Sequence, residues 1–284
     1  MTLFEAILLG IVQGLTEFLP ISSTAHLTVA GKFLGIVNSE QSAAWTSFIA
    51  IIQLGTLIAV VAYFFRDLVR MPASLLSDAR RGALKGPVSG WSEESRMALF
   101  MIAGTFPIGI AGLTLSDFLH GVFTKNLVVI GSSLIILALF LWLAEKRARH
   151  VRDMKHVTFA DAMIIGLAQC LALIPGSSRS GTTMTAGLFL GLTRSAAARF
   201  SFLLSVPAVA ASGLYELVSL TSDPFEFGIA NVVVAVLFSA ISGYAAIAWL
   251  LRYLMKQTMM LFVWYRIAIG VILLSFVFTG LLSP

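Results

Sequence analysis

The sequence predicts an all-α integral membrane protein with six transmembrane helices and two re-entrant helix hairpins, arranged as an inverted-topology repeat. Three observations lead to this prediction. The 284 residues are 58% hydrophobic and 12% charged, with a mean hydropathy of +0.93, whereas soluble domains are about 25% charged. Six apolar runs have the ~20 residues that cross a bilayer. Two further segments resemble each other and break at a proline, as the discontinuous helices of transporters do.

The six apolar runs are residues 44–65, 97–116, 126–145, 199–220, 228–251 and 260–282. The two hairpin segments, 2–36 and 158–192, each contain two shorter apolar runs separated by a cluster of Pro and Ser. Neither run of a segment is long enough to span a bilayer alone. Each segment is therefore predicted to be re-entrant, with its backbone satisfied by surrounding protein or by a water-filled cavity.

The two hairpin segments are versions of one sequence. Residues 2–23 and 158–178 align end to end when one residue is dropped before the proline. This alignment places Ser22–Ser23 opposite Ser177–Ser178, so we expect the two serine pairs to occupy equivalent hairpin tips that converge.

One hairpin followed by three spans makes a unit that occurs twice. Because three is odd, the second copy enters the membrane from the opposite face, which makes the repeat inverted. We expect a single transmembrane domain, 1–284, with the first repeat at 1–150 and the second at 151–284.

The loop charges predict the orientation. With the amino terminus outside, the opposite face holds the loops 66–96 and 146–157 and the turn near 252–256, which are rich in Arg and Lys, whereas the outer face keeps only Lys32 and Lys125. Basic loops stay in the cytoplasm, so both termini are predicted outside. The net charge of +5 then reflects topology and contact with membrane lipids, and no nucleic acid partner is expected.

Polar residues are concentrated in the two hairpins, from which a bilayer would exclude them. Glu17 and Arg179 are functional candidates, because an ionisable group within a bilayer costs at least about 2.5–3.5 kcal/mol. The candidates of the first hairpin are Gln13, Glu17, Ser22, Ser23, Thr24 and His26, and those of the second are Ser177, Ser178, Arg179, Ser180 and Thr183.

These residue types suit a diphosphate. An arginine at the start of a half-helix, within Gly-Ser-Ser-Arg-Ser-Gly, favours an anion, because the guanidinium and the helix amino terminus both bind phosphate. Glu17 and Gln13 lie four residues apart on one helix face and suit a hard cation, Mg²⁺ or Ca²⁺, that bridges to phosphate. Ser22 or Ser23, with His26, offers a nucleophile and a proton carrier.

The same residues also have structural interpretations. Arg179 could pair with Glu17 only to stabilise the fold, and His26 could be an ordinary packed histidine. Arg266, inside the last span, is predicted to extend its side chain to a membrane interface. The hydroxyl residues after the breaks could simply cap helices; these are Ser22, Thr24, Ser177 and Ser180.

Two long motifs resemble the signatures of the bacterial undecaprenyl-diphosphate phosphatase family, which is associated with bacitracin resistance. They are Gln13-Gly-Leu-Thr-Glu17-Phe-Leu-Pro-Ile-Ser-Ser-Thr24, followed by His26, and Pro175-Gly-Ser-Ser-Arg179-Ser-Gly-Thr-Thr183. The likeness covers nearly the whole chain. It implies hydrolysis of undecaprenyl diphosphate, a C55 isoprenoid lipid, to undecaprenyl phosphate and inorganic phosphate. It also implies a divalent metal, the bacterial cytoplasmic (inner) membrane and a site that opens to the outer face.

The resemblance also implies roles for single residues. Glu17 takes a metal or catalytic role beside Gln13, Ser23 is the nucleophile, His26 its proton partner, and Arg179 binds the diphosphate. Further substrate contacts are expected from Ser22, Thr24, Ser177, Ser178, Ser180 and Thr183. Gln13 stands where some family members have Glu, so bound diphosphate is expected to complete the metal shell.

Two alternatives stay open. Inverted repeats with broken helices also build transporters, so the same pocket could carry a polyprenyl phosphate across the bilayer. Water activated by the metal could replace Ser23 as the nucleophile. The oligomeric state is open between a monomer and a homodimer.

Overall fold

The computed structural model describes residues 1–36, 42–115, 126–219 and 227–282. The described ranges contain α-helices, short 3₁₀ turns and no β-strand, which confirms the all-α prediction. In chain order the helices are α1 (Leu3–Phe18), α2 (Ser23–Phe33), α3 (Ser42–Tyr63), α4 (Phe65–Arg80), α5 (Glu93–Thr114), α6 (Leu127–Arg147), α7 (Phe159–Gln169), α8 (Arg179–Phe189), α9 (Arg194–Ser219), α10 (Ile229–Leu254) and α11 (Met260–Phe278).

Five of the described helices, α5, α6, α9, α10 and α11, are long and apolar enough to cross a membrane. Helix α3 makes a sixth when it is taken with α4, which departs from it by 71° after a break at Phe64. These helices correspond to the six predicted spans. The predicted span ends at residues 116 and 220, and Lys125 on the predicted outer face, lie outside the described residues.

Helices α1 and α2 form the first broken helix. Thr2 and Glu5 make a capping box at the start of α1, in which each side chain accepts a hydrogen bond from the other residue's backbone N–H. Helix α1 ends at Phe18 because Pro20 lacks an N–H and disfavours helical geometry in the residue before it. Helix α2 then begins at Ser23.

Helices α7 and α8 repeat this local structure. Thr158 and Asp161 make the same capping box at the start of α7. A 3₁₀ turn at Cys170–Leu173 extends α7 toward Pro175, and α8 begins at Arg179. The second segment is thus also an apolar helix that breaks near a proline and restarts.

The two breaks correspond in a different register from the one predicted. Ser22 and Ser178 are the N-caps of α2 and α8, and both have a positive φ, 75° and 68°. The predicted match of Ser22 with Ser177 is therefore wrong by one residue, because it was aligned on the prolines whereas the caps set where each helix starts. Ser23 and Arg179 are consequently the equivalent first residues of α2 and α8.

Each broken helix packs against a long helix of the other half of the chain. A Cβ on Gly10 of α1 would overlap the carbonyl oxygen of Ala235 on α10, and a Cβ on Gly166 of α7 would overlap that of Gly104 on α5. Helices α6 and α11 also pack on each other. The halves are interlocked by these contacts, which bring the two breaks together inside the protein.

Ion pairs connect the helix ends that lie on the predicted cytoplasmic face. Arg152, before α7, contacts Asp161 at 2.5 Å and donates to the carbonyl of Leu190 at the end of α8. Arg194 of α9 contacts Glu145 of α6, also at 2.5 Å. The chain between α6 and α7 is thereby held against α8 and α9.

Candidate active site

A cavity of about 530 Å³ lies where the two breaks meet. Its volume is within the range of about 300–1,000 Å³ that is usual for small-molecule sites. The predicted site residues that line it are Glu17, Ser22, Ser23, Thr24, Ser178 and Arg179. The rest of the wall comes from α3, α5, α9 and the 3₁₀ turn after α7, and consists mostly of small or apolar side chains. The cavity therefore has one polar end and one apolar side.

Glu17 connects the polar groups of this cavity. Its Oε1 accepts a hydrogen bond from Nη2 of Arg179 at 2.5 Å. Its Oε2 accepts from Oγ of Ser23 at 2.7 Å and from Nε2 of Gln13 at 3.0 Å. The carboxylate is only 7% exposed, and a buried carboxylate is tolerated when a cation and hydrogen-bond donors compensate for the lost water. The ion pair between Arg179 and Glu17, which the structural interpretation of these residues predicts, is thus present in the cavity wall.

Arg179 keeps donors for a ligand. Its Nη1 donates to the carbonyl of Ser205 on α9 at 3.2 Å, and its Nη2 to Glu17. A guanidinium has five N–H groups, so further donors remain on a side chain that lines the cavity. These donors suit phosphate oxygens, which guanidinium groups bind in a bidentate manner.

Two helix amino termini meet at the polar end. The Ser22 side chain accepts a hydrogen bond from the backbone N–H of Ala25 at the start of α2, and the Ser178 side chain accepts from Gly181 at the start of α8. Both serines are therefore caps as well as cavity residues. Helix amino termini attract anions through their free N–H groups and dipole, so this end of the cavity favours a negatively charged ligand.

Three predicted substrate contacts do not line the cavity. Ser180 donates from Oγ to the carbonyl of Leu19 at 2.9 Å and so joins the two breaks. Thr183 donates to the carbonyl of Arg179 at 2.8 Å. Ser177 is fully buried, and its Oγ has no hydrogen-bond partner among the described residues. The side chains of Ser180 and Thr183 support the backbone around the site.

The structure does not join His26 to Ser23. Nδ1 of His26 is 2.7 Å from the carbonyl oxygen of Ser22, which can only accept, so Nδ1 carries a hydrogen. Nε2 is 2.7 Å from the hydroxyl of Tyr265 on α11. The hydrogen bond from Ser23 goes to Glu17 instead, and His26 is not among the residues that line the cavity.

The prediction that Arg266 reaches a membrane interface is wrong. Its side chain is 1% exposed and donates to four backbone carbonyl oxygens inside the protein. The sequence showed only its place in an apolar run. Which neighbours surround that place depends on how α11 packs.

Sequence reasoning also missed polar residues of the cavity wall. Gln53 on α3 and Thr105 on α5 both line the cavity. Gln53 interrupts the apolar run Phe-Ile-Ala-Ile-Ile-Gln-Leu-Gly, and a polar residue inside a predicted span was a signal that could have identified it.

The oxygens near Glu17 are compatible with a hard cation that is shared with a ligand. Oε1 of Gln13 is buried and has no partner among the described residues, and it belongs to the amide that contacts Glu17. No cluster of three or more His, Cys, Asp or Glu side chains suited to a metal occurs in the ranges that the structure describes. Glu17 and Gln13 supply two kinds of oxygen that Mg²⁺ and Ca²⁺ accept, so ligand oxygens and water would have to complete the shell.

Comparison with known proteins gives consistent matches over the whole chain. Residues 6–272 match the family model described as bacitracin resistance protein BacA. The undecaprenyl-diphosphatase of Syntrophobacter fumaroxidans is 46% identical over 98% of each chain. That of Myxococcus xanthus is 49% identical over all of this chain and 92% of its own, and that of Chlorobium phaeovibrioides is 48% identical over the full length of both.

Proposed function

Because this chain belongs to the family of the bacitracin resistance protein BacA, we propose that it hydrolyses undecaprenyl diphosphate to undecaprenyl phosphate and inorganic phosphate. The named relatives with this activity cover the chain from end to end. The observation that connects the activity to this structure is the contact of Glu17 with both Ser23 and Arg179 in one cavity. The protein is a membrane hydrolase, and its product is the lipid carrier of cell-wall synthesis.

The cavity suggests how the lipid is held. The diphosphate occupies the polar end, where the Arg179 guanidinium and the amino termini of α2 and α8 compensate its charge. The first isoprene units lie along the apolar side formed by α5 and α9, where Gly109 and Gly112 leave open space beside their Cα atoms. The remainder of the chain extends into the bilayer.

The hydrogen bond from Ser23 to Glu17 supports covalent catalysis. Oγ of Ser23 attacks the terminal phosphorus, and its proton passes to Oε2 of Glu17, 2.7 Å away. The bond between the terminal phosphorus and the bridging oxygen breaks, and undecaprenyl phosphate leaves. Water then hydrolyses the phosphoserine, which releases phosphate and restores Ser23. Arg179 stabilises the charge on the phosphoryl oxygens, the main task in phosphoryl transfer.

Attack by water directly on the phosphorus is the alternative to a phosphoserine. His26 stays a predicted proton partner of Ser23. Its two ring nitrogens contact the carbonyl oxygen of Ser22 and the hydroxyl of Tyr265.

We also propose a divalent cation, Mg²⁺ or Ca²⁺, near Glu17 and Gln13. The buried amide oxygen of Gln13 supports this assignment, because it has no hydrogen-bond partner among the described residues and belongs to the side chain whose nitrogen donates to Glu17. When bound, such an ion would neutralise charge on the diphosphate oxygens.

We propose the inverted repeat from the packing of the helices and the membrane orientation from the charges of the loops. The crossed packing of α1 on α10 and of α7 on α5 supports an inverted repeat whose broken helices are re-entrant hairpins. The basic loops support a bacterial inner-membrane protein with both termini outside and a cavity that opens to the extracytoplasmic face. A homodimer is compatible with this arrangement.

Purified protein tests the function directly. We expect it to release phosphate from undecaprenyl diphosphate in detergent, and Arg179→Ala to abolish the release. Arg252→Ala, which removes an exposed arginine at the end of α10, is the matched control and should keep wild-type activity. Lipid movement in liposomes without any release of phosphate would instead identify a polyprenyl-phosphate transporter and contradict the proposal.

A further inference from the structure

Arg266 is a buried cation within a membrane helix. It lies on α11, is 1% exposed, and has no carboxylate within ion-pair distance among the described residues. An arginine at the centre of a membrane helix costs at least about 2.5–3.5 kcal/mol on insertion scales. The surrounding protein must therefore compensate the charge in another way.

Backbone carbonyl groups provide the compensation. Nη1 donates to Pro20 at 3.2 Å, Nη2 donates to Gly176 at 3.3 Å and to Ser177 at 3.0 Å, and Nε donates to Leu134 of α6 at 3.2 Å. Pro20 lies in the first break, and Gly176 and Ser177 lie in the second. One guanidinium thus binds both breaks at once.

The carbonyls of Pro20, Gly176 and Ser177 lie just before the two strained caps. Ser22 and Ser178 have φ values of 75° and 68°, a region that costs a non-glycine residue about 1–3 kcal/mol and persists only when its surroundings impose it. The breaks expose backbone groups that no helix satisfies. The carbonyls of both breaks accept hydrogen bonds from the planar guanidinium of Arg266. They are therefore held in fixed orientations relative to each other.

Arg266 acts behind the site. It does not line the cavity, and a Cβ on Gly181, in the first turn of α8, would lie 2.6 Å from its Nη1. The guanidinium is thus packed beneath the amino terminus of the helix that begins with Arg179. Its contacts with both breaks are therefore the route by which it can position the residues that line the cavity.

We propose that Arg266 is a positioning residue that sets Ser23 and Arg179 in register with each other. This inference rests on the proposed function, since it assigns attack to Ser23 and phosphate binding to Arg179. Each of these residues starts a helix that follows a break held by Arg266. Binding of the lipid needs only its separate contacts, whereas attack on phosphorus needs both groups at the correct distance. Loss of the register should therefore lower kcat far more than it raises KM.

The test compares kcat and KM of Arg266→Gln and Arg266→Lys with undecaprenyl diphosphate as substrate. A misplacement of reacting groups by about 1 Å can cost about 100-fold in rate, and we expect a fall in kcat of that size for Arg266→Gln, with KM within about threefold. Arg266→Lys keeps the charge but not the planar fork, so we expect a loss of about tenfold. Arg252→Gln, on the surface, is the matched control and should leave both constants unchanged.

Thermal unfolding in detergent separates positioning from stability. If Arg266→Lys melts earlier but its folded fraction has the wild-type kcat, Arg266 is only structural and the inference is overturned. A rise in KM with kcat unchanged would also overturn it.

Gly181→Ala gives a second route if the Arg266 variants fail to fold, because the new methyl group displaces the guanidinium but leaves its charge in place. We expect it to lower kcat at least about tenfold, in keeping with the same geometric argument; an unchanged kcat would count against the inference. Failure of the wild type to release phosphate would reject the proposed function and is distinguishable from all these results.

Discussion

At the scale of single residues, Glu17 receives hydrogen bonds from Gln13, Ser23 and Arg179. Arg179 comes from the second broken helix and the others from the first. A carboxylate held in this way cannot rotate freely, because each oxygen has a defined donor. In the proposed mechanism it takes the Ser23 proton, while Arg179 keeps further N–H groups for the phosphate. The same contacts explain how two ionisable side chains can remain inside a membrane protein.

We expect Ser23→Ala to abolish formation of a phosphoenzyme and Glu17→Gln to reduce kcat by about 10²–10⁴-fold, the usual contribution of a general base. Labelling with substrate that carries ³²P in the terminal phosphate, followed by peptide mapping, measures the first effect, and steady-state phosphate release the second. Ser275→Ala, at an exposed position of α11, serves as the serine control. If Ser23→Ala keeps most of its activity, water attacks the phosphorus directly.

At the scale of helices, the two breaks have the same local backbone structure but place different side chains at the start of the following helix. Each has a serine cap with positive φ, followed by the first residue of a half-helix. That first residue is Ser23 in one copy and Arg179 in the other. The repeated backbone therefore presents the proposed nucleophile and the proposed phosphate-binding group from equivalent positions. Close packing of α1 on α10 and of α7 on α5 keeps the breaks at the same place.

Gly166→Ala tests the importance of this packing. Alanine gains about 0.5–1 kcal/mol over glycine in a helix, but its Cβ would overlap the carbonyl of Gly104 on α5, and overpacking costs about 1–3 kcal/mol. We therefore expect a net loss of stability, measured as a lower melting temperature of the purified protein. Gly90→Ala has open space around its Cβ and should leave the melting temperature nearly unchanged. An equal melting temperature for both variants would show that α7 and α5 can separate at little cost.

At the scale of the whole molecule, basic residues are concentrated in the loops of the predicted cytoplasmic face, called here the basic side, and apolar side chains cover the long helices. The ion pairs of Arg152 and Arg194 fix the chain between α6 and α7 on the basic side. Large apolar side chains are exposed on α5, α6, α10 and α11, as expected of surfaces that face lipid tails. Since basic loops remain in the cytoplasm, the proposed orientation puts the termini and the mouth of the cavity on the outer side.

Cysteine labelling tests this orientation. In a Cys170→Ala background, Lys85→Cys should be protected from an impermeant maleimide in intact cells, whereas Leu281→Cys, at a position that is 72% exposed near the carboxyl end, should react. Permeabilised cells are the control in which both should react. Labelling of Lys85→Cys alone in intact cells would reverse the orientation.

Much of the fold could be predicted from the sequence because bilayers impose simple requirements. Apolar length indicates the long helices, proline and serine clusters indicate the breaks, and a repeated segment shows that the two breaks are related. Glu17 and Arg179 were recognisable because charge is expensive in a membrane. Each of these signals is local or depends on composition, so no knowledge of neighbours was needed.

The tertiary structure decided what those residues contact. The prolines suggested that Ser22 matches Ser177, but the caps match it with Ser178. Ser23 could have bonded His26, yet it bonds Glu17. The sequence by itself determined a membrane phosphatase of broken helices with its polar residues at two breaks. Only the packing of α11 behind those breaks turned Arg266 from an apparent interface residue into the group that joins them, because hydrogen bonds depend on distances between segments far apart in the chain.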